Sequence, residues 1–205
     1  MSDRYQSIFK QDNVAVITGG ASGIGLAAAR EFAKCGMNIC LADKDSQRLK
    51  EAAQLLVPLC DQRQERIMTF ELDVTHYDQL EGLKTAVYER FGKVNVLMNN
   101  AGIAAPSSSW NDMEGWRGLL EVNLFGVIHG VQAFSQAMID QKSPAMIINT
   151  GSKQGITNPP GLLYWWPQRY PQGWRSTFQR GDEPLFERVL LLYSNSNAPC
   201  RDESI

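Results

Sequence analysis

Short runs of β-branched and aliphatic residues alternate, over the first 151 positions, with longer stretches whose apolar residues recur every three or four places. Continuous apolar runs suit strands covered on both faces, and the 3.6-residue period suits helices with one buried face. Residues 14–17 predict a first strand, followed at once by a glycine-rich turn and a helix over 24–35 that Gly36 ends. A second strand over 38–42 stops at Asp43, after which Ser46 is placed to cap a helix running to Val57, with Pro58 marking its end. Residues 67–72 predict a third strand. Thr75-His76-Tyr77-Asp78 has the form of a capping box with Asp in place of Glu, opening a helix to Phe91 that Gly92 closes. A fourth strand over 94–98, one long helix over 113–140 and a fifth strand over 146–148 complete the pattern.

Strand–helix alternation of this kind predicts βαβ units on a parallel sheet, and right-handed crossovers favour the strand order 3-2-1-4-5. The expected fold is α/β: a three-layer, Rossmann-like, doubly wound parallel sheet, followed by an irregular C-terminal segment. The texture changes after Gly161. Trp165, Trp166 and Trp174 crowd together, and Pro167, Pro171 and Pro184 interrupt any helix longer than three turns. No lysine follows Lys153, and Ala198 is the single alanine of that stretch. A regular element is plausible there over 185–193 alone. The chain therefore divides into a strand–helix region, 1–161, and a divergent segment, 162–205.

A chain of 205 residues accommodates one domain with a sizeable core. Its net charge of -2 supplies no basic field for nucleic acid. No apolar run approaches the length of a membrane span and the first five residues carry no signal-like apolar region, so a cytoplasmic protein is expected. Cys35, Cys40, Cys60 and Cys200 lack metal-ligand spacing and are expected to be reduced thiols. His76 and His129 have no acidic or cysteine partners at ligand spacing, so no metal is expected.

The first turn, Thr18-Gly19-Gly20-Ala21-Ser22-Gly23-Ile24-Gly25, lies between a strand and a helix. Glycines let the backbone approach a pyrophosphate, and the helix N-terminus offers unpaired N–H groups with a favourable dipole. Asp43 closes the next strand, where it can accept hydrogen bonds from the adenosine ribose and repel a 2′-phosphate. That favours NAD over NADP, although Lys44 beside it could pair with such a phosphate.

These residues resemble the short-chain dehydrogenase/reductase family, whose glycine signature is Thr-Gly-x-x-x-Gly-x-Gly. The resemblance continues in register. Asp73-Val74 is similar to the pair that contacts adenine. Asn99-Asn100-Ala101-Gly102 is similar to the motif that stabilises the sheet and lines the cofactor. Asn123 corresponds to the asparagine of the catalytic helix, and Ser152 to the catalytic serine. The resemblance implies an NAD(P)-dependent oxidoreductase interconverting a small-molecule secondary alcohol and a ketone. Its pyrophosphate would lie on Gly19, Gly23 and Gly25, its ribose on Asp43, its adenine between Asp73 and Val74, and its nicotinamide side against Asn100, with Thr18, Ser22, Ile24, Ala101 and Gly102 completing the cofactor-binding set.

Hydride transfer needs a group that exchanges the hydroxyl proton. The family uses a tyrosine thirteen residues after the serine, its pKa lowered by a lysine four places on. Those positions hold Trp165 and Arg169. Indole has no titratable proton in range, and guanidinium does not reproduce a compact ammonium charge. Tyr164 lies one residue early and is a weak acid/base candidate, since Gln168 follows it at helical spacing. Lys153 fits a solvated loop better than a surrogate base, and Trp165 and Trp166 fit packing against the sheet better than a ligand platform. A catalytically inactive cofactor- or partner-binding remnant is therefore the alternative function, and a frameshifted or alternatively spliced C-terminus would explain the abrupt change.

The family's chains continue with a sixth helix and two more strands. Without that helix, the fifth strand and the long 113–140 helix would expose a few hundred Å² of apolar surface, costing about 5–10 kcal/mol of burial. Homo-oligomerisation, which the resemblance assigns to the same pair of helices, is weakened accordingly.

Overall fold

The computed structural model describes residues 3–104 and 113–151. Five parallel strands form one sheet in the order β3-β2-β1-β4-β5: β1 Val14–Thr18, β2 Asn38–Asp43, β3 Ile67–Glu71, β4 Val96–Asn99 and β5 Met146–Asn149. The doubly wound order expected from the alternation is the one observed. Every residue of β1, β4 and β5 is buried, which explains their unbroken apolar runs. Helices cover both faces. On one, α2 (Gly23–Lys34) and α3 (Ser46–Leu56) pack with Ile17, Ile39, Leu41 and Met98. On the other, α4 (Tyr77–Phe91) and α6 (Gly126–Asp140) pack with Val16, Cys40 and Leu97.

Several boundaries differ from the sequence expectation, each for a local reason. A short helix α1, Asp3–Ile8, precedes β1, and its last carbonyls are held by Asn13, whose Nδ2 donates to Ser7 O and Ile8 O at 3.1 and 2.9 Å. The cap of α3 is Asp45, which accepts from Arg48 N at 3.0 Å; Ser46 is already helical. α3 ends at Leu56 with Val57 as its C-cap, close to the expected end, and Pro58 lies in the 3₁₀ turn, Val57–Cys60, that follows. The Thr75 capping box does not form. His76 is the N-cap of α4 without a side-chain bond, while the Thr75 amide donates to Asp73 Oδ1 at 3.0 Å. Gly36 and Gly92 do stand at the helix ends in left-handed geometry, φ +74° and +73°.

The long 113–140 helix is three pieces: α5 (Met113–Leu120), a five-residue π turn (Glu121–Phe125) and α6. Gly126 and Gly130 let α6 approach the sheet. A Cβ on Gly126 would stand 2.7 Å from Val74 Cγ2, and one on Gly130 would overlap the Asn99 carboxamide. Asn99 donates from Nδ2 to Asn149 Oδ1 at 2.8 Å, tying β4 to β5, while its buried Oδ1 has no partner among the described residues.

The expected exposure beside β5 is not what the structure shows: Met146, Ile147 and Ile148 are all buried. On the 113–140 segment, where exposure was also expected, Met113 and Phe125 are exposed; so are Ile24, Leu55 and Tyr77 elsewhere. Cys40 and Cys60 are buried free thiols and Cys35 an exposed one. Among the described residues no helix is long and apolar enough to cross a membrane.

Candidate nucleotide-binding site

The carboxyl ends of β1, β2 and β4 face a cleft of about 370 Å³ at the point where the strand order reverses. In an open α/β sheet this is where the chain diverges to either side and leaves a crevice. Of the residues singled out in the sequence, Gly19, Ser22, Gly23, Ile24, Asp43, Asp73, Val74, Asn100, Ala101 and Gly102 line it.

The turn from β1 into α2 is built for close approach. Gly19 and Gly23 have φ of +62° and +52°, a region that suits residues without a Cβ. Gly25 is buried beneath the turn, where a Cβ would overlap the Gly19 carbonyl oxygen and stand 2.7 Å from Asn100 Nδ2. Ser22, the N-cap of α2, is extended and makes no side-chain cap bond. The first amides of α2 are therefore not capped by a side chain, and the helix dipole points its positive end into the cleft.

Thr18 and Gly25 lie behind the cleft wall instead of on it. Thr18, 2% exposed, accepts at Oγ1 from the amides of Asn100 (3.0 Å) and Ala101 (3.2 Å). Asn100 returns the link, donating from Nδ2 to Thr18 O and Gly19 O at 3.1 and 3.2 Å. Four bonds thus fasten the loop after β4 to the turn after β1. The glycine turn and the Asn-Asn-Ala-Gly stretch form one unit.

At the other end, the carboxylate of Asp43 is pinned by two amides. Oδ2 accepts from Ala21 N and Oδ1 from Asp45 N, both at 3.2 Å. Lys44 and Arg48 line the cleft beside it. Asp73 is oriented by Gln79, whose Oε1 accepts from the Asp73 amide at 2.8 Å, and by its own bond from Thr75 N. Burial alone would raise the Asp73 pKa, but the Thr75 amide and hydroxyl, with His76 and Lys44 nearby, hold it below the usual value.

Asp73 therefore stabilises the fold as a carboxylate: its contribution is present above the unfolded-state pKa and is lost as pH falls through the lower folded one. The melting temperature of Asp73→Asn should lie below that of the parent at pH 7, with the gap closing towards pH 3. Being largely solvated, the group contributes no more than about 1 kcal/mol. A gap that stays constant with pH would show that charge is not the cause.

Asn123 lies deeper in the fold than most of the cleft residues. It is buried in the π turn, and its carboxamide is paired with one backbone unit: Oδ1 accepts from Ile103 N at 2.8 Å and Nδ2 donates to Ile103 O at 2.9 Å. Its observed side-chain work is to hold the loop that carries Gly102 and Ile103 against the helix. His129, on the next turn, uses Nδ1 with Val74 O at 2.9 Å and meets Tyr77 edge to face. Sequence reasoning did not single out Arg48 or Gln79. Both are ordinary polar helix positions, and no motif marks them. Ser152 and Tyr164, together with Lys153, Trp165 and Arg169, lie outside the described residues.

Residues 13–164 match the family model described as short chain dehydrogenase. An uncharacterized oxidoreductase of Staphylococcus saprophyticus is 35% identical over 147 residues, 71% of this chain and 61% of that protein. A CLA biosynthesis dehydrogenase/reductase of Lactiplantibacillus plantarum is 32% identical over 153 residues, 74% of this chain and 52% of that protein. Among solved structures, a short chain dehydrogenase/reductase from Burkholderia phymatum in complex with NAD superposes with a TM-score of 0.71 at 36% identity. It covers 77% of this chain and 54% of that one. The chain thus spans little more than half the length of these relatives.

Proposed function

The chain belongs to the short chain dehydrogenase family, and on that premise we propose that it is an oxidoreductase that binds NAD(H) in the β1–β2–β4 cleft and interconverts a small secondary alcohol and its ketone in the cytoplasm. The observation that carries this reading is the joint architecture of the β1–α2 turn. Gly19 and Gly23 line the cleft in left-handed geometry, Gly25 lets α2 close beneath the turn, the first amides of α2 are uncapped by side chains among the described residues, and Asp43 stands at the neighbouring strand end. These features fit a dinucleotide: anionic oxygens on the N–H groups, ribose hydroxyls on the Asp43 carboxylate, adenine between Asp73 and Val74. Asn100, Ala101 and Gly102 would face the nicotinamide half. When bound, the nicotinamide would supply or accept the hydride.

Ser152 and Asn123 are the family's catalytic positions that this sequence retains, with Tyr164 the nearest phenol. Of these, Asn123 acts by holding Ile103 in place. Trp165 and Arg169 occupy the spacing at which the family places its tyrosine and lysine. That substitution favours a second reading, a protein that binds the cofactor without turning it over.

Titrating the protein with NADH and following the cofactor's fluorescence is the decisive test. Saturable enhancement is expected, in the micromolar range usual for such sites. Absence of saturation in folded protein overturns the proposal. Saturation without turnover on a panel of secondary alcohols and ketones selects the second reading.

A further inference from the structure

Val74 lies in the turn between β3 and α4, where no helical or strand ladder holds the backbone. The carbonyls of the Asp73–Val74 pair are held individually. Asp73 O accepts from His76 N at 3.1 Å, and Val74 O is bonded to His129 Nδ1 at 2.9 Å. His129 comes from α6, fifty-five residues along the chain. A carbonyl oxygen only accepts, so Nδ1 carries the proton in this bond.

The imidazole is itself held. Half-buried, it meets the ring of Tyr77 edge to face at 5.8 Å and that of Phe125, tilted, at 6.4 Å. The Tyr77 hydroxyl donates in turn to Glu81 Oε1 on the same helix. Gly126 stands one turn before His129 on α6, and a Cβ there would press on Val74 Cγ2. Residues three apart share a helix face. Val74 is thus fixed from α6 at two points, its side chain against Gly126 and its carbonyl on His129, while it lines the cleft. Among the described residues His129 belongs to no cluster that could hold a metal ion.

We propose that His129 is a positioning residue for the base of the cofactor: by holding Val74 O it keeps the Asp73–Val74 wall in the geometry that selects adenine. This rests on the dinucleotide reading above. The 6-amino group of adenine is a donor suited to the Asp73 carboxylate, whereas the 6-oxo group of hypoxanthine is an acceptor that the carboxylate repels. Discrimination of this kind needs polar partners that stay in place. With the Val74 carbonyl released, the turn relaxes and the preference falls.

Fluorescence titrations of the full chain with NADH and with reduced nicotinamide hypoxanthine dinucleotide test this. The parent is expected to prefer NADH at least about tenfold. His129→Phe keeps a ring between Tyr77 and Phe125 but has no donor. It should weaken NADH about tenfold and the hypoxanthine dinucleotide less than about threefold, narrowing the preference. His129→Asn, whose amide nitrogen can stand near the place of Nδ1, should restore NADH affinity to within about threefold of the parent. Thermal melting checks that each variant is folded, and His129→Leu serves as the donor-free variant if His129→Phe is not. Equal weakening of both dinucleotides, unchanged affinity without the donor, or a His129→Asn protein as weak as His129→Phe overturns the role of His129. So does a parent that binds both bases equally. In each of these results the dinucleotide site stands. If neither dinucleotide binds to folded parent protein, the dinucleotide reading itself fails.

Discussion

Gly25→Val is expected to abolish measurable NADH binding and to lower the melting temperature. The position is buried under the β1–α2 turn, and the first carbon of any side chain there overlaps the Gly19 carbonyl oxygen. That oxygen is not free to move. It accepts from Asn100 Nδ2, and Asn100 is fastened in turn to Thr18. A branched side chain at Gly25 must push the turn away from α2, separating the loops that line the cleft. Overpacking of this kind costs about 1–3 kcal/mol of stability. The loss in NADH affinity should be larger, at least about 100-fold, because amides displaced by 1 Å no longer converge on one anion.

Gly23→Ala provides the contrast. Gly23 is left-handed at φ +52° but nothing lies within 4 Å of a Cβ built there. Conformational strain of about 1–2 kcal/mol is then the whole cost to the fold. Fluorescence titration with thermal melting of both variants distinguishes these effects. Retention of full NADH affinity by Gly25→Val would show that the turn does not contact the cofactor.

The fold was legible because its determinants are local and repeated. Strands buried on both faces must be continuously apolar, and helices beside them must carry one apolar stripe, so the strand order followed from hydrophobic spacing and crossover handedness. The first half of the site was legible for a similar reason: a turn that admits phosphate needs glycines at fixed places. What stayed hidden depends on partners far along the chain. Asn95 sits at the start of what seemed an unbroken strand. Its side chain accepts from Val14 N and donates to Pro144 O, tying the entry of β4 to β1 and to the turn before β5. Asp45 outcompetes Ser46 as the cap of α3 because the backbone turn fixed by Asp43 presents it first. The π turn left no trace either, since one extra residue per turn barely disturbs an apolar stripe. Arg48 gains significance only through its place in the folded cleft.

That π turn leads to the second large effect. Asn123→Leu should destabilise the protein by about 2–4 kcal/mol, because it strips partners from both polar groups of Ile103 at once, and each unsatisfied group costs about 1–3 kcal/mol. For a chain of this size the melting temperature should fall by roughly 5–15 °C. The π turn Glu121–Phe125 places Asn123 against Ile103, and leucine has nothing to offer there.

Asn123→Asp separates the two halves of the pairing. An aspartate still accepts from Ile103 N, but it sets a carboxylate oxygen against Ile103 O. Its folded-state pKa should therefore be raised, since a protonated carboxyl can donate to that carbonyl. A raised pKa means the folded state takes up a proton more readily than the unfolded chain, so the variant's deficit should shrink as pH falls from 7 towards 4. Thermal melts of the three proteins across that range provide the check. A melting temperature for Asn123→Leu within about 1 °C of the parent would show that the pairing contributes little. Unchanged stability with lost turnover would instead assign Asn123 a direct part in the chemistry.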